Sequence, residues 1–308
     1  MVRIACVQYT PVWGELEKNV LAVEAMVSHL RPGELDFLVL PEMAFAGYVF
    51  HSKEEIRPFV EYAGGGEDGE PGENSRPPAG PTYRFCRAQA LRLRCCVVAG
   101  YAEVDAQGDF YNSLYVLDEH GKLRLNYRKT FLYVTDKAWA KPGTGFHVVE
   151  LRGCRVVFGI CMDLNCEDFD FERDTFALAS FCRDQKAALL ILSTAWLQSP
   201  KPADEDGDHE ASTPAAAAHA EQQALEQLHN YWGWRLEPLL GAPCHFVAAN
   251  RTGLERGSQF AGGSAVIDLE RRRLVNHLGR SEAGLLITSI DVDRAAAAAP
   301  DRVHVLQR

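Results

Sequence analysis

The sequence predicts a mixed α/β (α+β) chain in which helices layer onto β-sheet. Two observations carry that prediction. Strand-like and helix-like segments interleave through one chain, and neither an internal repeat nor an inter-domain linker divides it. With 308 residues, 47% of them hydrophobic, the chain can bury one large core, so a single domain over residues 1–308 is expected.

The elements follow in order. Ile4 to Gln8 reads as a strand, and Leu16, Val20, Val23, Val27 and Leu30 then recur on one helical face that stops at Arg31-Pro32-Gly33. Leu35 to Leu40 is a buried strand ending at Pro41-Glu42. Tyr83 to Leu93 is helical and Cys95 to Ala102 a strand. Tyr111 to Leu117 and Leu123 to Tyr127 flank the turn 119–122 as a hairpin. Later strands are Arg155 to Ile160, Ala188 to Ser193, His245 to Ala249, Ser264 to Asp268 and Leu285 to Ile290. Helices are expected around Phe171 to Arg183 and His219 to Leu240. Residues 64–81 (GGGEDGEPGENSRPPAGP) and the acidic stretch 198–212 are too polar to pack and read as mobile surface loops.

Composition excludes several classes. A net charge of −10 argues against nucleic acid as a partner, because phosphate binding needs clustered Lys and Arg. The run Arg271 to Arg273 is short and isolated, and it reads as a hairpin turn. No apolar stretch is long enough to span a bilayer, and the first residues enter a strand pattern directly, so no signal peptide is expected. The nine cysteines are odd in number and lie mostly in apolar runs, which points to reduced thiols in a cytoplasmic protein. Cysteine and histidine spacing matches no metal site.

Three segments carry chemistry. In FGICMDLN the apolar run Val156 to Phe158 breaks at Gly159 and presents Cys161 beside an acidic residue. Glu42 in LPEMAFAGY and Lys129 in YRKTFLY each also follow directly on an apolar run. Strand ends could therefore bring a thiol, a carboxylate and an ammonium together. Those three groups suffice for amide hydrolysis, as nucleophile, proton carrier and oxyanion partner.

LPEMAFAGY, YRKTFLY and FGICMDLN, in that order, resemble the three signature segments of the nitrilase superfamily of carbon–nitrogen hydrolases. YNSLYVL, LSTAW and NRTGLERGSQFAGGS match in type, so the resemblance runs from about Val2 to Val292. CMDLN together with RKTFLYVTDKAW is similar to the fungal protein N-terminal amidase branch. The resemblance implies an α-β-β-α sandwich, Glu42 as general base, Lys129 as oxyanion partner and Cys161 as nucleophile, with no cofactor and no metal. It also implies substrates that are protein or peptide N-termini bearing Asn or Gln, deamidated in the N-degron route. A monomer or a homodimer is compatible with it.

A free α-amino group is a cation, so its reader should be a carboxylate. Asp136 and Asp163 are the candidates, with Trp139 and Trp196 as apolar walls and the Cys161 or Met162 N–H at the oxyanion. Asp163 has a second reading, as a brace for the turn. Asp136 also stands where many superfamily members carry a second glutamate, and Cys166 stands where many carry proline, which would put a second thiol near the first. A small-molecule amidase of the same superfamily and a non-catalytic scaffold remain alternatives.

Overall fold

The computed structural model describes residues 1–63, 79–198, 213–292 and 304–305. Most of both expected loops, 64–81 and 198–212, lies outside the described residues. The chain runs β1 (Val2–Gln8), α1 (Leu16–Val27), β2 (Phe37–Val39), α2 (Lys53–Ile56), β3 (Glu61–Tyr62), α3 (Pro81–Leu93), β4 (Cys96–Val104), β5 (Phe110–Leu117), β6 (Leu123–Arg128), β7 (His147–Leu151) and β8 (Cys154–Ile160). It continues through α4 (Ala177–Asp184), β9 (Leu189–Thr194), α5 (Pro214–Arg235), β10 (His245–Asn250), β11 (Thr252–Glu255), β12 (Ser258–Ala261), β13 (Ala265–Asp268), β14 (Arg273–His277), β15 (Gly284–Ile290) and β16 (His304–Val305).

Two seven-stranded sheets form. One has the order β15-β1-β2-β4-β5-β6 with β3 also paired to β4, the other β14-β13-β10-β9-β8-β7-β16; β11 and β12 form a separate ribbon. Alternation along β1 shows why the sheets stack. Ile4 and Cys6 face the second sheet and pack in one core with Phe158 and Leu192, while Ala5 and Val7 face outward into a second core with Val23, Val27, Phe85 and Leu93 from α1 and α3. The second sheet is covered on its far side by Leu178 and Phe181 of α4 and by Leu228 and Trp232 of α5. Helix, sheet, sheet and helix are thus stacked as an α-β-β-α sandwich. Both faces of each central strand are covered, which is why β4 and β9 are apolar nearly throughout. Among the described residues no helix is long and apolar enough to cross a membrane.

Three expectations are corrected. The helix expected over 171–183 begins only at Ala177, because Asp174 Oδ1 accepts the Phe176 N–H at 2.8 Å and Phe176 turns left-handed (φ 49°). The helix expected over 219–240 ends at Arg235; a single 3₁₀ turn over Glu237–Leu239 follows, holding Pro238, which has no N–H to donate. Strand β7 was not expected. Its partner β8 follows through Arg152-Gly153, both at positive φ (53° and 72°), the signature of a tight hairpin turn. The run Arg271 to Arg273 does close a hairpin, between β13 and β14.

Candidate active site

Glu42, Lys129 and Cys161 stand just beyond β2, β6 and β8, two strands of one sheet and one of the other. Glu42 is fixed by its backbone neighbours on β4: Leu40 N donates to Val98 O (2.8 Å), Gly100 N to Pro41 O (3.1 Å) and Ala44 N to Gly100 O (2.8 Å). The approach is so close that a Cβ on Gly100 would lie 2.5 Å from Met43 N. Only glycine lets these two segments touch. Lys129 is held on both sides, its N–H on Asn112 O (2.8 Å) and its carbonyl under Gly143 N (2.7 Å).

Cys161 sits on an elbow. Its φ of 42° is left-handed, and a 3₁₀ turn over Cys161–Leu164 follows at once. A non-glycine residue in that region persists only where its surroundings hold it. Asp163 supplies the hold: Oδ1 accepts Thr130 N (2.9 Å) and Phe131 N (2.8 Å), and Oδ2 accepts Ile160 N (2.8 Å) and Tyr127 OH (2.7 Å). The same carboxylate therefore ties the elbow to the segment carrying Lys129. Gly159 lets Leu178 of α4 pack close beneath it, since a Cβ there would be 2.7 Å from Leu178 Cδ2.

The charged side chains meet in a solvent-free cluster. Lys129 Nζ donates to Glu42 Oε1 and to Asp136 Oδ2, each at 2.6 Å, and all three residues have no exposed surface. Asn112 Nδ2 bridges the carboxylates, reaching Glu42 Oε1 (2.7 Å) and Asp136 Oδ1 (3.0 Å). Ala195 N donates to Glu42 Oε2 (2.8 Å). Burial raises the Glu42 pKa, opposed by the Lys129 charge, so this carboxylate is a stronger base than a solvated one. Burial alone would lower the Lys129 pKa, but Asp136 and Glu42 outweigh it and hold the ammonium charged. The Cys161 thiol is pushed well up, first by burial and then by Glu42, while Lys129 and Thr194 work the other way. At neutral pH it rests as a thiol and needs a base to attack.

Of the residues expected at the substrate, Asp136 joins the charged cluster, where it also accepts Tyr133 N (2.9 Å). It occupies the place of a second carboxylate partner to Lys129. Asp163 is corrected as a substrate reader. Its four acceptor positions are filled by the protein and it has no exposed surface, so it braces the elbow. Trp139 is buried in an apolar cluster with Tyr48 and Ala195, and Met162 is buried beneath the elbow. Trp196, partly buried, packs its ring on Tyr231 (5.7 Å) and Trp232 (5.8 Å). Cys166 is buried just past the 3₁₀ turn, where burial and then the Asp174 charge raise its thiol pKa, opposed by Arg235.

Sequence reasoning missed Tyr48, Asn112, Thr194 and Glu255. Tyr48 is buried with its ring 5.8 Å from Lys129 Nζ, and its hydroxyl has no hydrogen-bond partner among the described residues. Glu255, from the ribbon, accepts Tyr48 N (2.7 Å) and Val49 N (2.8 Å) on Oε1, and its Oε2 takes the buried Arg251 guanidinium. Tyr48 ends a signature segment and Asn112, Thr194 and Glu255 lie in the segments that match in type, but only the folded geometry gives them roles. Among the described residues, no group of three or more His, Cys, Asp or Glu is placed to hold a metal ion.

A sandwich of this kind, enclosing a thiol, a lysine and two carboxylates where its sheets meet, defines a class of hydrolase that cleaves carbon–nitrogen bonds through a cysteine. The chain belongs to the carbon–nitrogen hydrolase family, whose sequence profile matches residues 3–168. It is 28% identical to the protein N-terminal amidase of Schizosaccharomyces pombe over 94% of this chain and all of that protein. Against the protein N-terminal amidase of Saccharomyces cerevisiae it is 26% identical over 73% of this chain and 51% of that protein. A crystal structure of an N-terminal amidase with an Asn-Glu-Ala peptide shares the fold, with a TM-score of 0.74, 20% identity, and coverage of 94% of this chain and 97% of that one.

Proposed function

We propose that this protein hydrolyses the side-chain amide of an N-terminal Asn or Gln of a polypeptide, releasing ammonia and leaving Asp or Glu. The observation that carries the reading is the buried Glu42–Lys129–Asp136 cluster beside Cys161, in a chain matching an N-terminal amidase over that protein's whole length.

In this reading Glu42 takes the Cys161 proton as sulfur attacks the carboxamide carbon. The tetrahedral oxyanion is held by Lys129 and by the Met162 N–H at the start of the 3₁₀ turn. Glu42 returns the proton to nitrogen, ammonia departs and a thioester remains. Water, deprotonated by the same carboxylate, then cleaves the thioester to acid and thiol. Two carboxylates facing one ammonium leave surplus negative charge in the cluster, which suits a substrate carrying an α-ammonium. All nine cysteines are free thiols, which suits a reducing compartment such as the cytoplasm and a place in the N-degron route.

Mass spectrometry of Asn- and Gln-starting peptides, beside α-acetylated and internal-Asn controls, tests the proposal. Conversion of the free N-terminal amides alone, abolished by Cys161→Ala, is expected. Equal conversion of acetylated peptides would overturn recognition of the chain terminus.

A further inference from the structure

Four of the large apolar side chains left exposed on this protein gather on one side of the site: Val134 (69% exposed), Phe169 (43%), Phe171 (50%) and Trp234 (45%). They are joined to it through Tyr133. The Tyr133 N–H donates to Asp136 Oδ2 at 2.9 Å, inside the charged cluster, while its ring meets Phe169 edge-on at 6.4 Å. From Phe169 the rings continue to Phe171 (6.2 Å) and from Phe171 to Trp234 (5.8 Å). An aromatic track thus leads from the charged cluster to the surface. Trp234 of α5, whose ring also meets Phe176 (6.1 Å) and Tyr231 (5.5 Å), stands at the outer end of this track.

The segment presenting the two phenylalanines is acidic. Residues 167–174 (EDFDFERD) hold five carboxylates and one arginine. Lys137 pairs with Asp168 and Arg235 with Asp174, and Arg173 lies 3.7 Å from Asp170. The segment stays net negative after those pairings.

We propose that this acidic aromatic lip binds the second to fourth residues of the polypeptide substrate and favours cationic and aromatic side chains there. The proposal rests on the deamidation reading and names the part of the substrate that reading leaves open. The occupant follows from continuity and charge. A chain whose first residue reaches Cys161 leaves the site past Tyr133, where exposed rings offer faces to Lys, Arg or aromatic groups and the carboxylates favour positive charge. A small-molecule amide would have no use for a surface extending to Trp234.

The test measures kcat/KM for an Asn-starting dipeptide amide and for two hexapeptides with Asn first, one carrying Lys and Phe at positions two to four, the other Glu and Ser. The Lys/Phe hexapeptide is expected to exceed the Glu/Ser one by about tenfold, with the gap narrowing at 0.5–1 M salt, where the Debye length falls to roughly 3–4 Å. Phe171→Ala and Trp234→Ala should lower the ratio of Lys/Phe hexapeptide to dipeptide rates. Glu172→Lys, a fully surface change, should shift preference toward the Glu/Ser peptide. Cleavage of the dipeptide with no preference between hexapeptides, or loss of dipeptide and hexapeptide activity in equal proportion in the variants, overturns the lip alone. Cleavage of none of the three overturns the deamidation reading, and the lip with it.

Discussion

The Lys129 ammonium lies 2.6 Å from the Asp136 carboxylate, with both side chains wholly removed from solvent. Because Glu42 sits equally close on the same nitrogen, Asp136 shares the charge that would otherwise fall on Glu42 alone. Replacing it by Asn leaves Lys129 paired only with Glu42, which makes that carboxylate a weaker base. Asp136→Asn is expected to lower kcat by about a hundredfold. A steady-state assay showing unchanged kcat would remove Asp136 from the proton economy of the site.

Removing the lysine has a different signature. Lys129→Ala leaves two buried carboxylates with no counter-charge and should destabilise the fold by about 3–5 kcal/mol at neutral pH. In the variant, Glu42, whose pKa burial already raises, loses the opposing ammonium and binds a proton more tightly folded than unfolded, so the loss should shrink as pH falls below neutral. Denaturant unfolding at pH 7 and pH 5 measures it. A loss that grows on acidification contradicts the cluster.

The Cys161 thiol is raised by burial and by Glu42, so its thiolate fraction should climb with pH throughout the neutral range. Alkylation of Cys161 by a small neutral reagent should accelerate about tenfold per pH unit between 7 and 9. A plateau at pH 6 to 7 would indicate a resting thiolate.

Arg235 is fully buried and its Nη2 donates to Asp174 Oδ1 at 3.0 Å, while its Nε donates to Leu164 O (3.0 Å) below the nucleophile turn. The guanidinium holds the Asp174 pKa below the usual carboxylate range. The stabilisation is therefore present above the unfolded carboxylate pKa of about 4 and is lost as pH falls through the lower folded value. Asp174→Asn should cost about 3 kcal/mol at pH 7 and much less at pH 3, as read from unfolding midpoints.

Gly100→Ala should destabilise by about 2–3 kcal/mol and lower activity further, because the added methyl drives the Pro41–Met43 backbone away from β4. Gly284→Ala, at a strand position in β15 where nothing lies within 4 Å of a Cβ, is the control.

Much of this architecture was legible in the residues. Central strands such as β1, β4 and β8 announce themselves because both faces are apolar, and Glu42 and Cys161 each mark the point where an apolar run stops, whereas Lys129 follows the half-polar strand β6 (LRLNYR) and is legible through its signature segment. Strand β7 was not legible, since its alternation is interrupted by His147 and Glu150 and its pairing depends on a two-residue turn. The role of Asp163 was open for a related reason: a carboxylate two residues after a nucleophile reads the same in sequence whether it faces a ligand or four donors of its own protein. Tyr48 and Glu255 gain their roles only through contact between segments about 200 residues apart, which no local pattern encodes.

That last contact bears on when the protein becomes competent. Tyr48 and Val49 are fastened by a carboxylate from β11, and β1 pairs along its full length with β15. β11 and β15 must be in place before the Tyr48–Val49 segment and β1 are fully held, although Glu42 itself already rests on β4. The first strand and the Tyr48 segment thus take their final fastening from parts of the chain some two hundred residues or more further along.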